Sequence, residues 1–331
     1  MTQQQQERGN SMNEKIIICD CDHQDVDTEK AVFERAGQPF RWHHCMTQQE
    51  VIDECQGAVV FLNQYVRMDK QIFDAIPTLK CIVRYGVGVD NVNLDDATAY
   101  GVQVCNVPDY GTNEVADQAL AMIVSLVRKV YLVNAEVREG IWDYRRTIPV
   151  KRLACSTVGI IGLGRIGRAL AHRAHALGCT VIACDPLSDS PGFDAPPYVT
   201  MTDLDTLLRT SDIISIHCSL NETSRGMIGA RELALMKPTA YLVNVARGGI
   251  VDEDALDAAL TEGSIAGAGL DVVAAERLAP DAPLLRHRNF LISPHMAWYS
   301  EESAVELNRK AAEEAVRFLN GEPVHYPVNQ L

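Results

Sequence analysis

The sequence predicts an α/β protein built from two doubly wound parallel sheets. Three observations predict it. The chain has 331 residues, enough for about two domains. Short apolar runs alternate with longer amphipathic stretches. A second series of such runs opens on a glycine-rich turn.

Residues 1–14, MTQQQQERGNSMNE, carry a glutamine run without an apolar pattern and are expected to form a disordered tail, with Met12 as an alternative start. The first series follows, with KIIIC at 15–19, AVVFL at 58–62 and KCIVR at 80–84 read as strands and helical segments between them. The stretch TNEVADQALAMIVSLVRKV, 112–130, begins with Thr112 as a candidate N-cap and is apolar on nearly every face. A helix of that kind is buried on more than one side; it is an interdomain, an intersubunit or a plain core helix. The second series runs through TVGII (157–161), TVIAC (180–184), DIISI (212–216), AYLVN (240–244), AGAGL (266–270) and NFLIS (289–293). An amphipathic segment at 300–319 reads as the last helix, and the Pro-containing tail from Gly321 as irregular.

Apolar residues make up 47% and charged residues 22% of the chain, the balance of an ordinary globular protein. A net charge of −14 repels phosphate backbones and anionic lipid heads, so neither nucleic acid nor a membrane surface is an expected partner. Ten cysteines without a Cys-x-x-Cys pair point to reduced thiols and hence to the cytoplasm. No apolar span of ~20 residues and no signal peptide is evident, so neither membrane insertion nor secretion is expected.

VGIIGLGRIG, 158–167, places Gly162, Gly164 and Gly167 in G-x-G-x-x-G order, after an apolar strand and before the helical run RIGRALAHRAHALG. Those glycines permit a tight turn, close approach of backbone to a pyrophosphate, and close helix packing; the helix N-terminus supplies donors and a positive dipole. The next strand ends at Asp185, 23 residues beyond Gly162. A carboxylate there binds ribose hydroxyls and repels a 2′-phosphate, so NAD is expected rather than NADP.

Further motifs carry a family resemblance. VNVARGGIVDEDAL (243–256), GAGLDVVAAE (267–276) and SPHMAWYS (293–300), with VRYGVGVDNVNLDDATAYGVQVCNVP (83–108) upstream, resemble the signatures of D-isomer-specific 2-hydroxyacid dehydrogenases. Within that family VRYGVGVDN, VCNVP and HMAWYSEES look most like the branch of the C-terminal-binding proteins. The resemblance implies a discontinuous, flavodoxin-like substrate domain from 15–111 and 297–331, and an inserted Rossmann NAD-binding domain from 112–296. It also implies a cleft between the two and a homodimer formed through the nucleotide domains. The expected activity is NAD-dependent interconversion of a small 2-oxo acid and its D-2-hydroxy acid. An NADH-sensing scaffold and a phosphoglycerate-type dehydrogenase are the alternatives.

Such chemistry needs an anchor for the carboxylate and a group that moves the hydroxyl proton. The resemblance assigns the anchor to Arg247, whose planar fork of donors matches a carboxylate as a Lys point charge does not. It assigns the acid and base to His295, a side chain that titrates near neutral pH. Glu276 is the partner carboxylate that stabilises the imidazolium. Arg277 and Leu278 follow it where the family usually has Pro, which leaves the geometry of that loop open. Backbone N–H groups of Val87 and Gly88 are expected near the substrate carboxylate. Arg84 either contacts a substrate anion or forms an interdomain salt bridge. Trp298 is expected to line the pocket, with Tyr85 and Met296 beside it, a buried aromatic being the alternative for Trp298. For NAD the resemblance adds Arg165, Ile166, His217, Cys218, Thr223, Val245, Ala246 and Asp271, the last for the nicotinamide carboxamide, with Thr112 reaching the same region.

Three other clusters are read as structural. CDCDHQD (19–25) is rich in metal-binding types but sits where the first strand meets its helix, with no second ligand cluster at zinc spacing. His172 and His175 read as solvated helix residues, and His43, His44 and Cys45 as strand-end residues.

Overall fold

The computed structural model describes residues 14–21 and 23–331. The expected N-terminal tail lies outside them except for Glu14, whose carboxylate is 3.5 Å from Arg41 Nε. The chain divides into two compact units, one running through Gly111 and resuming at Ser300–Leu331, the other Thr112–Tyr299.

In the first unit five parallel strands, β1 (Ile16–Ile18), β2 (Phe40–Trp42), β3 (Val60–Asn63), β4 (Cys81–Arg84) and β5 (Gln103–Cys105), lie in the order β2-β1-β3-β4-β5. That is the flavodoxin-like order. β1 is three isoleucines of zero exposure, as a parallel strand covered on both faces requires. Four helices, α1 (Asp27–Arg35), α2 (Gln48–Glu54), α3 (Lys70–Ala75) and α4 (Leu94–Ala99), connect the strands. The last three start on side-chain caps from Thr47, Asp69 and Asn93. On one face Ile17, Phe61, Ile72, Phe73 and Ile82 form the core. The C-terminal helix Glu301–Leu319, capped by Ser300, lies against β3 and β4 and buries Leu307, Ala311, Ala312 and Ala315.

The tail beyond Gly321 is irregular, as expected, yet fixed. Pro327 bridges Cys105 in antiparallel sense, and Val328 N donates to Val104 O at 2.8 Å. The Asn329 amide accepts from Val104 N at 2.7 Å and donates to Val102 O at 2.9 Å, so the open edge of β5 is covered.

The second unit holds seven parallel strands: β6 (Thr157–Ile161), β7 (Thr180–Cys184), β8 (Val199–Met201), β9 (Ile213–Ile216), β10 (Tyr241–Asn244), β11 (Gly267–Leu270) and β12 (Phe290–Ile292). Their order, β12-β11-β10-β9-β6-β7-β8, is the Rossmann order with one strand added. Its helices are α5 (Thr112–Arg128), α6 (Val130–Arg138), α7 (Arg165–Ala176), α8 (Leu204–Thr210), α9 (Ala230–Leu235) and α10 (Glu253–Glu262); the C-terminal helix of the first unit is α11. Among the described residues no helix is long and apolar enough to cross a membrane.

Two expectations change here. The helix read over 112–130 ends at Arg128, because Lys129 turns to a left-handed φ of 54° and donates from Nζ to Thr147 O at 2.8 Å before α6 begins. α5 itself is a core helix of the second unit, with Ala116, Ala119, Met122, Ile123 and Leu126 buried. The second crossing between units falls after Tyr299 rather than after Met296. Asp271 explains the shift: its carboxylate accepts the backbone N–H of Met296 and of Ala297, which ties that segment to the end of β11.

Candidate functional site

β6 ends in the glycine loop. Gly162 has φ +91°, and a Cβ there would fall 2.7 Å from Cys218 N, so the turn both requires a left-handed residue and excludes a side chain. Gly167 is pressed against Gly162 O, whereas the space a Cβ would take at Gly164, the exposed N-cap of α7, is open. Arg165 is exposed and Ile166 half-buried on the first turn of α7. Asp185 stands at the end of β7 and braces the loop, accepting from Leu163 N at 2.7 Å and from Leu187 N at 2.9 Å. A carboxylate offers about four acceptor sites, so capacity for ribose hydroxyls remains. Helix donors, an open glycine and a carboxylate after the second strand together fit a dinucleotide.

The remaining expected cofactor residues surround the ends of β9 and β10. His217 Nε2 pairs with Ser215 Oγ at 2.8 Å, and burial pushes its imidazole down to about 3, so the ring is neutral. Burial pushes the Cys218 thiol up to about 11. Thr223 is exposed and donates to Asn221 Oδ1 at 2.7 Å. Val245 is buried, and Ala246 and Thr112 are half-buried.

Beyond β10 the turn that carries Arg247 is shaped by a residue that spacing alone does not single out. Asn244, 1% exposed, donates to Arg247 O at 2.9 Å and accepts from Ala246 N at 3.0 Å. The half-buried Arg247 guanidinium donates to Ala246 O at 2.9 Å. Gly248 then passes so close to the chain after β11 that a Cβ would lie 2.0 Å from Val273 O.

His295 and Glu276 meet within this unit, Nδ1 to Oε2 at 2.7 Å. Among the described residues only Lys129, Glu276 and His295 have positive φ without being glycine, at 54°, 57° and 52°. Two of these three form the pair, and such strain is retained where the surroundings over-determine it. The missing proline has a physical sense: a Pro at 277 would restrict residue 276 to extended backbone, and Arg277 imposes no such limit.

His295 N donates to Asp271 O at 2.7 Å. The Asp271 carboxylate, 1% exposed, accepts from the N–H groups of Met296 and Ala297 and from Ser293 Oγ, which itself accepts from Gln118 Nε2 at 3.1 Å. Asp271 therefore fastens the histidine loop, a role the sequence reading did not give it. Trp298 follows, half-buried and edge-on to Tyr299 with centroids 5.5 Å apart.

Arg84, Tyr85, Val87 and Gly88 belong to the other unit. Arg84 ends β4 with its guanidinium over Gly86, where a Cβ would fall 1.8 Å from Nη1. Val87 is exposed and Gly88 half-buried. The expectation for Tyr85 is overturned. Its ring is 2% exposed, and its hydroxyl donates to the buried Glu29 Oε1 at 2.8 Å. Side chains alternate at a strand end, so the residue after a half-exposed Arg84 points into the core. Among the described residues no group of three or more His, Cys, Asp and Glu is placed to hold a metal.

Residues 120–297 match the family described as D-isomer specific 2-hydroxyacid dehydrogenase, NAD binding domain. A glyoxylate reductase of Korarchaeum cryptofilum is 38% identical over 285 residues, 85% of each chain. A glycerate dehydrogenase of Methylorubrum extorquens is 34% identical over 94% of this chain and 98% of its own. Among solved structures, the D-lactate dehydrogenase of Aquifex aeolicus complexed with NAD and lactic acid superposes with a TM-score of 0.84 at 27% identity, covering 93% of this chain and 96% of that one. By the family match over more than half of the chain and relatives above 30% identity along most of it, the chain belongs to the D-isomer specific 2-hydroxyacid dehydrogenase family.

Proposed function

We propose that this protein, an NAD-dependent oxidoreductase by family, reduces a small 2-oxo acid to its D-2-hydroxy acid, with His295 as acid and base and Arg247 as carboxylate anchor. The observation that carries the reading is the 2.7 Å contact between His295 and Glu276. Arg247 holds the substrate carboxylate through its fork of donors and draws charge from the adjacent carbonyl. When bound, NADH supplies the hydride that C2 receives. His295 delivers a proton to the carbonyl oxygen, and in the reverse direction takes it from the hydroxyl. Glu276 orients the ring through Nδ1, leaving Nε2 for the substrate. NAD is held by the N-terminus of α7 with Gly162, Gly164, Arg165, Ile166 and Gly167, by Asp185 at the ribose, and by His217, Cys218, Thr223, Val245 and Ala246. Asp271, with one acceptor site left beyond the loop it fastens, takes the carboxamide, with Thr112 in the same region. Trp298 meets the side chain of the acid.

A homodimer is part of the proposal. Trp142, Tyr144 and Ile148 are 87%, 78% and 63% exposed on the segment after α6, and large apolar side chains so exposed are the kind a second copy would cover. The ten unbridged cysteines support the cytoplasm as its location.

The experiment is NADH consumption with glyoxylate, hydroxypyruvate, phenylpyruvate and 4-methylthio-2-oxobutyrate. At least one is turned over, and His295→Ala lowers its kcat about 10²- to 10⁴-fold; unchanged turnover sinks the acid–base assignment. The run HMAWYSEE at 295–302 favours a second reading, an NADH-sensing scaffold like the C-terminal-binding proteins. Feeble turnover of every acid together with NADH-dependent self-association supports that reading instead.

A further inference from the structure

A second set of reactive side chains lies in the first unit, at the carboxyl end of β1. With the order β2-β1-β3, β1 is where the chain's progress through the sheet reverses, the place where open α/β sheets form crevices. A cavity of about 440 Å³ opens there, lined among others by Asp20, Cys21, Cys45, Tyr65 and Arg67. Cys21 is 8% exposed on its wall. Its thiol hydrogen-bonds the ring of His23. His23 Nδ1 is 3.6 Å from Glu29 Oε1, the fully buried carboxylate of α1 that accepts from Tyr85. The ring also stands edge-on to Tyr85, centroids 5.0 Å apart.

We propose that Cys21 is a reactive thiol that hydroperoxides oxidise to a sulfenic acid, with His23 as its proton and charge partner and Glu29 and Tyr85 positioning the ring. Burial draws the His23 imidazole down, but Cys21 and Glu29 outweigh it and bring the ring up to about 9, so it carries a proton at neutral pH. A protonated imidazole beside sulfur is the arrangement that activates a thiol. The Cys21 sulfur attacks a peroxide oxygen, and its thiol proton passes to the His23 ring only as that ring gives up its own proton to the departing group. An S–O bond forms as the O–O bond breaks, and the departing hydroxide takes the proton from His23 and leaves as water. Sulfur loses two electrons and the peroxide gains two. Cys45 borders the same cavity, but burial raises its thiol, and Cys55 behind it is raised further still. Asp20 borders the same cavity; burial raises its carboxyl against the N–H groups of Gln64, Tyr65 and Val66 and the Asn63 amide, all of which donate to it.

The full-length protein is treated with limiting hydrogen peroxide and dimedone, and the trapped cysteines are mapped by mass spectrometry. Cys155, which is exposed, is the internal reference. Cys21 is expected to take the trap about tenfold or more ahead of Cys155. His23→Gln brings Cys21 down to the level of Cys155, and Glu29→Gln, which keeps the shape but removes the charge on the ring, lowers it as well. Cys155 trapped ahead of Cys21 in the unaltered protein overturns the proposal whatever the variants do; so does undiminished Cys21 trapping in a folded His23→Gln protein.

Discussion

Gly248 shows how tightly the residue next to the anchor is held. A methyl group there would lie 2.0 Å from Val273 O and 2.6 Å from Ala274 N, and both are backbone atoms that cannot rotate away. Gly248→Ala is therefore expected to lower unfolding free energy by about 2–4 kcal/mol in urea titration and to raise KM for the acid more than KM for NADH, because the turn that aims Arg247 must move. A wild-type denaturation midpoint would falsify this account of the turn. At this scale the meeting of Glu276 with His295 was legible because the neighbours of both form motifs. Tyr85 was misread because it adjoins a polar motif in sequence while pointing away from it in space. The fastening role of Asp271 left no mark in the spacing, since its partners are backbone amides, which every residue has.

Elements were legible where the chain supplies four or five apolar residues in a row, as in AVVFL at 58–62 and AYLV at 240–243, which supply most of β3 and β10. The three-residue strands β2, β5 and β8, reading FRW, QVC and VTM, each carry a polar residue and cannot be told from loop by pattern. β5 depends on a partner more than 220 residues away. The Asn329 amide bonds Val104 N, Val102 O, Gln103 Nε2 and Thr98 Oγ1, and no window along the sequence spans that separation. Asn329→Ala is expected to lower stability by about 2–3 kcal/mol and to expose a strand edge, visible as faster growth of light scattering on warming. Unaltered scattering together with unaltered stability removes the tail from the account of that edge.

For the whole molecule, two histidines set opposite limbs of the dependence of stability on pH. His217, held at about 3 in the folded state against an ordinary 6.5, contributes fully above 6.5 and loses its contribution as pH falls toward 3, because only the unfolded chain takes the proton. His23, held at about 9, contributes fully below 6.5 and loses its contribution as pH rises through 9. Each limb is expected to slope by up to about 1.4 kcal/mol per pH unit. His217→Asn should flatten the acid limb between pH 6.5 and 5, and His23→Gln the alkaline limb between 7 and 9. Denaturation curves in which either variant flattens the opposite limb contradict the assignment. The two-unit organisation was only partly legible: length suggested two domains, and the interrupted first unit came from resemblance, because composition does not change where the chain returns at Ser300.

The way Asp271 grips the histidine loop also sets a clock. Three hydrogen bonds from residues 293–297 converge on one buried carboxylate at the end of β11, so the loop cannot lift without unseating a group that belongs to the sheet. Displacement of the backbone at His295 is then no quick loop fluctuation; it requires the opening of the sheet end itself, and the time that backbone stays in place becomes a property of the fold.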